Sequence, residues 1–146
     1  MTIIRLRPFA GEPELFDPEI TGDFAAEMAQ LAEAEQVKPW CAYVAWDDGR
    51  PVGFGGFKEP PGDGGVVEIG YLTFPGFTGK SVATELTLGL LAIARDNGAS
   101  SVIAHTLPEL TASSRVLEKA CFVRDGWGED DDVGLVWRWR FATAKE

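Results

Sequence analysis

The stretch VVEIGYLTFPGFTGKSVATELTLGLLAIA, Val66–Ala94, decides the fold. Its first half is rich in branched and aromatic strand formers and ends at Phe74-Pro75-Gly76-Phe77. Thr78-Gly79-Lys80-Ser81 then opens a long apolar helix, from about residue 79 to 96, stopped by Asn97-Gly98. A polar turn between a strand and a helix N-terminus offers unpaired backbone N–H groups at the positive end of the helix dipole. Such a turn suits the diphosphate of a nucleotide-like cofactor, with strand 66–74 lining the reaction site. The alternative is an ordinary helix start with Thr78 or Ser81 as its cap. Two phosphate motifs fail here. The nucleoside-triphosphate loop needs Gly where Phe74 stands, and Gly76-Phe77-Thr78-Gly79 has the wrong spacing for the dinucleotide fingerprint.

Downstream, 101–107 (SVIAHTL) reads as a strand, and Thr111 caps a helix over 112–120. Phe122–Arg124 is a short strand, Gly126–Asp132 a loop, and Val133–Phe141 the last strand, with Leu135, Trp137, Trp139 and Phe141 on one face. Upstream, 2–8 is a half-buried strand, and Thr21 caps a helix running to about Glu35, with Phe24, Met28 and Leu31 on its inner face. Strands 40–46 and 52–57 form a hairpin about Asp48-Gly49, with Gly53, Gly55 and Gly56 marking a bulge or a close backbone approach. The strand–helix–strand unit from 66 to 107 is a parallel crossover between antiparallel hairpins. The sheet is therefore mixed, in an α+β or α/β fold with helices on both faces.

With 146 residues, 45% hydrophobic and 25% charged, the chain 1–146 fits one soluble globular domain. No apolar run approaches the roughly 20 residues of a membrane span, and MTIIRLRPF lacks a signal-peptide core. Cys41 and Cys121 are too few and too far apart for a disulfide framework, so the expected compartment is cytoplasmic. A net charge of −10 argues against a nucleic-acid partner and favours cationic ones. Between Pro8 and Val37 there are eight carboxylates and no Lys or Arg, and Glu129–Asp132 adds four more in one loop. These are either solvated faces or a negative rim.

Three stretches resemble the GNAT superfamily of acetyl-CoA-dependent N-acetyltransferases: Val67-Glu68-Ile69-Gly70-Tyr71, Gly79–Leu86, and Ser113-Ser114-Arg115-Val116-Leu117-Glu118-Lys119-Ala120-Cys121-Phe122. The nearest branch is similar to the one acetylating ribosomal-protein N-termini. The element order matches that fold over nearly the whole chain, which implies a mixed, mostly antiparallel central sheet of about six or seven strands flanked by helices on both faces. The family's loop motif, R/Q-x-x-G-x-G/A, falls on Thr78–Ala83, with Thr78 in place of Arg or Gln and Ser81 in place of the first Gly. The resemblance implies acetyl-CoA as co-substrate. Backbone N–H groups of Thr78, Gly79, Lys80, Ser81, Val82, Ala83 and Thr84 would bind the CoA diphosphate, Leu72 and Thr73 would offer backbone groups to the pantetheine and thioester, and Phe74 would join them in the cofactor site. Leu110 stands where the family often has Asn, Cys121 where it has Gly, and Leu117 where many members carry a Tyr acid.

Acetyl transfer from a thioester to an amine needs a base for the acceptor's proton, donors for the tetrahedral oxyanion, and a proton or hydrogen bond for the leaving thiolate. Glu68, mid-strand between Val67 and Ile69, is the candidate base; the alternative is a partner for a sheet cation. Ser113 is placed to contact the CoA arm or the leaving sulfur, or is simply a helix-start polar residue. Tyr71 points away from Glu68 by strand alternation and reads as core. His105, the only histidine, reads as packed or partner-bonded, and nothing pairs with it as a metal site. Trp40 and Trp46 are placed as walls of the acceptor pocket. The expected acceptor is an amine-bearing small molecule or peptide, with no membrane and no metal. Two rival readings are a non-catalytic acyl-CoA sensor of the same fold and a homodimer joined through the Trp-rich last strand.

Overall fold

The computed structural model describes residues 4–33, 37–77 and 81–143. Seven strands form one sheet: β1 (Ile4–Pro8), β2 (Ala42–Asp47), β3 (Arg50–Phe57), β4 (Val66–Thr73), β5 (Ser101–Thr106), β6 (Val123–Asp130) and β7 (Gly134–Ala142). Their order is β1-β2-β3-β4-β5-β7-β6. Every neighbouring pair is antiparallel except β4 with β5. The helices are α1 (Pro18–Thr21), α2 (Ala25–Glu33), α3 (Val82–Asp96) and α4 (Ala112–Lys119). No described helix is long and apolar enough to cross a membrane.

Strand alternation gives the sheet two faces. Val67 and Ile69 of β4, Val102 and Ala104 of β5 and Trp139 of β7 pack with Leu90, Leu91 and Ala94 of α3 and Leu117 of α4. On the other face, Val44, Phe54 and Phe74 pack under Leu15 and Met28 from the segment that carries α1 and α2. Close approach explains all three glycines in β3: an added Cβ would lie 2.9 Å from the Leu72 carbonyl oxygen at Gly53, 2.8 Å from the Gly70 carbonyl oxygen at Gly55, and 2.5 Å from the Cys41 carbonyl oxygen at Gly56.

Two sequence expectations are corrected. Thr21 does not cap the first long helix. It ends α1, fully buried, with its hydroxyl donating to the Asp17 carbonyl, and it is Asp17 that caps α1 by accepting from the Glu19 N–H. The stretch 126–132 is mostly strand, because β6 runs to Asp130 and pairs along β7 as far as Asp130–Gly134. The sequence reading of Gly126–Asp132 as a loop does not hold. Instead the ladder irregularity between Arg124 and Gly126 absorbs the extra residue, Asp125, and the strand continues.

Candidate active site

The sheet parts in its middle. β4 and β5 pair only where Val66–Glu68 meets Ser101–Ile103. β4 then continues to Thr73 along β3, and β5 to Thr106 along β7. The β3–β4 ladder keeps one register, with Lys58 N–H donating to the Glu68 carbonyl and Phe74 N–H to the Val52 carbonyl. Backbone groups alternate sides along a strand, so those of Glu68, Gly70, Leu72 and Phe74 face β3. Those of Tyr71 and Thr73 face the gap that β5 has left. The expectation that Leu72 supplies backbone groups to a ligand is thus corrected: those groups meet Phe54, and the gap edge belongs to its neighbours. Phe74 is also corrected. It is fully buried in the cluster with Leu15 and Met28, so its side chain is core.

One end of the gap opens into a cavity of about 310 Å³ lined by Thr73, Ser81, Val82, Ala83 and Thr84, and by Ala112, Arg115, Val116 and Lys119 of α4. Five residues singled out in the sequence therefore share one wall. The first intrahelical bond of α3 runs from Glu85 N–H to the Ser81 carbonyl, so the N–H groups of Val82, Ala83 and Thr84 have no partner within the helix. Arg115 and Lys119 lie one turn apart on α4 and face those amides across the cavity. Sequence reasoning assigned neither cation a role; their four-residue spacing before Phe122 was the available signal. Ser81 sits at the N-cap of α3 with φ 62°, in the left-handed region, and its hydroxyl does not cap the helix. The alternative of Ser81 as an ordinary side-chain cap is excluded. Thr78, Gly79 and Lys80 lie outside the described residues.

On the α1/α2 face, at the point of parting, Glu68 Oε2 receives two contacts: Lys58 Nζ at 3.0 Å and His105 Nδ1 at 2.9 Å. Three strands converge there, since Lys58 follows β3, Glu68 lies on β4 and His105 on β5. The Lys58 stem passes over Gly70, where an added Cβ would lie 3.8 Å from Lys58 Cε. Gly128 of β6 backs the other side of His105, where a Cβ would come within 2.6 Å of Nε2. Neither Lys58 nor His105 was assigned to the site from sequence. Only the register of three strands joins them, and no motif encodes it.

Asp130, at the end of β6, lies close enough for Lys58 and His105 to bear on it. Backbone N–H groups of Asp132 and Val133, chiefly, and then the Lys58 and His105 side chains hold its carboxyl below the usual range. Tyr71 bridges the gap on the opposite face, its hydroxyl donating to the Ser113 carbonyl at 3.3 Å. Burial, against that hydrogen bond, pushes the phenol up to about 12, so it stays neutral. The bond ties β4 to the first turn of α4, which Thr111 and Ser114 close as a reciprocal capping box. Leu117 is fully buried in the core. Trp46 packs under Leu15 and Met28, and Trp40 stands edge-on to Phe57 with ring centroids 5.0 Å apart. Neither ring makes a contact that ties it to the Glu68 cluster.

The family model described as an acetyltransferase (GNAT) domain matches residues 5–123. The chain belongs to the GNAT family and is an acyltransferase. No curated protein sequence matches it. Among solved structures, a chimera of spermidine N-acetyltransferase from Vibrio cholerae and hSSAT superposes with a TM-score of 0.76 at 15% identity, covering 96% of this chain and 95% of that one. The aminoglycoside acetyltransferase AAC(6')-Ib in complex with coenzyme A gives 0.75 at 21% identity, covering 96% and 95%. The ribosomal-protein alpha-N-acetyltransferase RimL, also with coenzyme A, gives 0.63 at 15% identity, covering 70% and 61%. At these identities the likeness is one of fold.

Proposed function

We propose that the protein moves an acetyl group from acetyl-CoA to a primary amine by direct transfer within a ternary complex. The observation that carries this reading is the parted β4–β5 edge, with an anion-suited cavity at one end and a buttressed carboxylate at the other. The solved aminoglycoside acetyltransferase of the same fold is in complex with coenzyme A, and a second structure of this fold is named a spermidine N-acetyltransferase.

In this reading the free amides of Val82, Ala83 and Thr84, with Arg115 and Lys119, hold the diphosphate. The gap-facing backbone of Tyr71 and Thr73 pairs with the pantetheine arm and donates to the thioester carbonyl as it becomes an oxyanion. The acceptor approaches from the α1/α2 face, where Glu68 takes its proton directly or through one water. His105, donating from Nδ1 to the Glu68 carboxylate, holds that carboxylate in place. The thiolate leaves toward the first turn of α4, where the Ser113 hydroxyl is the available hydrogen-bond donor, the Tyr71 proton being given to the Ser113 carbonyl.

The preferred acceptors are cationic amines, because the carboxylates of segment 12–35 and of the 129–132 tip border that face. Three measurements test the proposal. Acetyl-CoA should raise the melting temperature; thiol release should depend on an added amine; and the initial-rate patterns should intersect, as a ternary complex requires. Glu68→Gln should lower kcat by about 10²-fold or more while acetyl-CoA still stabilises the fold. A protein that acetyl-CoA does not stabilise sinks the reading. Unchanged donor binding with no turnover for any amine leaves the sensor in its place.

A further inference from the structure

The Lys58 amine stands where an acceptor amine would stand. Its stem starts beyond β3, crosses β4 over Gly70, and ends with Nζ 3.0 Å from Glu68 Oε2. That same oxygen reaches His105 on β5, 2.9 Å away. Nζ is therefore held at the mouth of the gap between β4 and β5, on the face from which an acceptor enters, against the group assigned to take the acceptor's proton. The trough under the stem exists because Gly56 and Gly70, paired across the two strands, bring no side chains to it. The Lys58 side chain is 58% exposed, so the ion pair is weak and the amine is free to swing toward the gap.

We propose that Lys58 is itself an acyl acceptor, and that the protein acetylates its own Lys58 within one molecule. The proposal rests on the function proposed above. The ammonium gives one proton to Glu68, and the neutral Nζ attacks the thioester carbonyl carbon. The new C–N bond forms as the C–S bond breaks. The amine's second proton ends on the departing thiolate or in solvent, and the products are an acetamide on Lys58 and free CoA thiol. No oxidant or further reactant is involved. The step occurs once per chain, and it replaces the ammonium beside Glu68 with a neutral amide. An external amine competes with Lys58 for the same carboxylate, so acceptors protect it.

The chain has four other lysines as internal controls: Lys38, Lys80, Lys119 and Lys145. The test incubates the purified protein with acetyl-CoA alone and follows intact mass, peptide maps and thiol release. The expected result is a gain of about 42 Da confined to Lys58 and one equivalent of thiol per chain, at a rate per molecule independent of protein concentration. Glu68→Gln should slow it at least about tenfold, with retained stabilisation by acetyl-CoA showing that the variant is folded. If added amines are acetylated while Lys58 gains acetyl no faster than the other lysines, the inference fails and the proposed function stands. A rate per molecule that rises with protein concentration overturns the intramolecular claim. Absence of both donor stabilisation and thiol release with any amine overturns both proposals.

Discussion

Ser81 and Cys121 hold left-handed backbone, at φ 62° and φ 70°, where a Cβ is unfavourable and glycine is not. Cys121 has an internal standard in the same molecule. At the end of α4 the Phe122 N–H reaches the Leu117 carbonyl and the Cys121 N–H the Glu118 carbonyl. At the end of α3 the Ala99 N–H reaches Ala94 and the Gly98 N–H reaches Arg95. Both are the same C-terminal motif, one closed by Gly98 at φ 84° and the other by Cys121. Cys121→Gly should therefore stabilise by about 0.5–1 kcal/mol, the relief of left-handed strain less the added freedom of the unfolded chain. Gly98→Ala, where a new Cβ meets nothing within 4 Å, should destabilise by about 1 kcal/mol through backbone conformation alone. Urea unfolding of the two variants measures both, and equal signs would refute the account. The same residues show what sequence can disclose. Gly98 is legible as a helix stop, and Ser81 is legible as a departure from a family motif. Their backbone angles are not, because Ser tolerates many conformations.

The elements around the gap were largely legible, and their registers were not. The β4–α3–β5 unit follows from apolar periodicity, one polar turn and one Asn-Gly stop. His105 was legible as a partner-bonded side chain, but neither its partner nor the presence of Lys58 was, because the two lie 37 and 10 positions from Glu68 and only pairing with both neighbouring strands joins them. The same limit hid the far end of the sheet. Asp125, placed by the irregularity in β6, accepts from Arg138 Nε at 2.9 Å and from Arg140 Nε at 2.7 Å on β7. Burial opposes its ionisation, but the two guanidinium groups outweigh burial and hold its carboxyl below the usual carboxylate range. A depressed folded-state pKa gives stability that is complete above the unfolded value, near ~4, and is lost as pH falls through the folded one. Asp125→Asn should thus lower stability at neutral pH and flatten its decline below about pH 4, as acid-unfolding midpoints would show. At the other end of the gap, α4 brings Arg115 and Lys119 to the α3 amides. Arg115→Ala and Lys119→Ala should each raise KM for acetyl-CoA several-fold, about 1 kcal/mol or more per charge-assisted contact, with a smaller change in kcat. A change confined to kcat would place those cations outside the donor site.

Across the molecule the charges are sorted by task. The cavity proposed to hold the donor is lined by Arg115 and Lys119, suiting an anion, in a chain whose net charge is −10. The face proposed for the acceptor would carry the opposite sign. Segment 12–35 holds eight carboxylates, and the hairpin between β6 and β7 presents Glu129, Asp130, Asp131 and Asp132, all exposed. A field of this kind acts mainly on encounter: it raises the local concentration of cations near the open face and repels anions. Salt screens it, with a Debye length near ~10 Å at 0.1 M ionic strength. The cluster at Glu68 sets a second condition, since an incoming ammonium must displace the Lys58 amine that already holds the carboxylate. A polycation gains from the rim with its remote charges while one amine takes the Lys58 position; a monoamine gains only the second contact. The kcat/KM for a polyamine should therefore exceed that for a monoamine of equal amine basicity at low salt. The advantage should shrink several-fold between about 0.02 and 0.3 M NaCl, through KM rather than kcat. Replacing Asp131 and Asp132 by Asn should remove part of that salt dependence without altering the monoamine rate. Equal salt slopes for the two acceptors would mean that the acidic segments are solvated surface with no part in choosing the substrate.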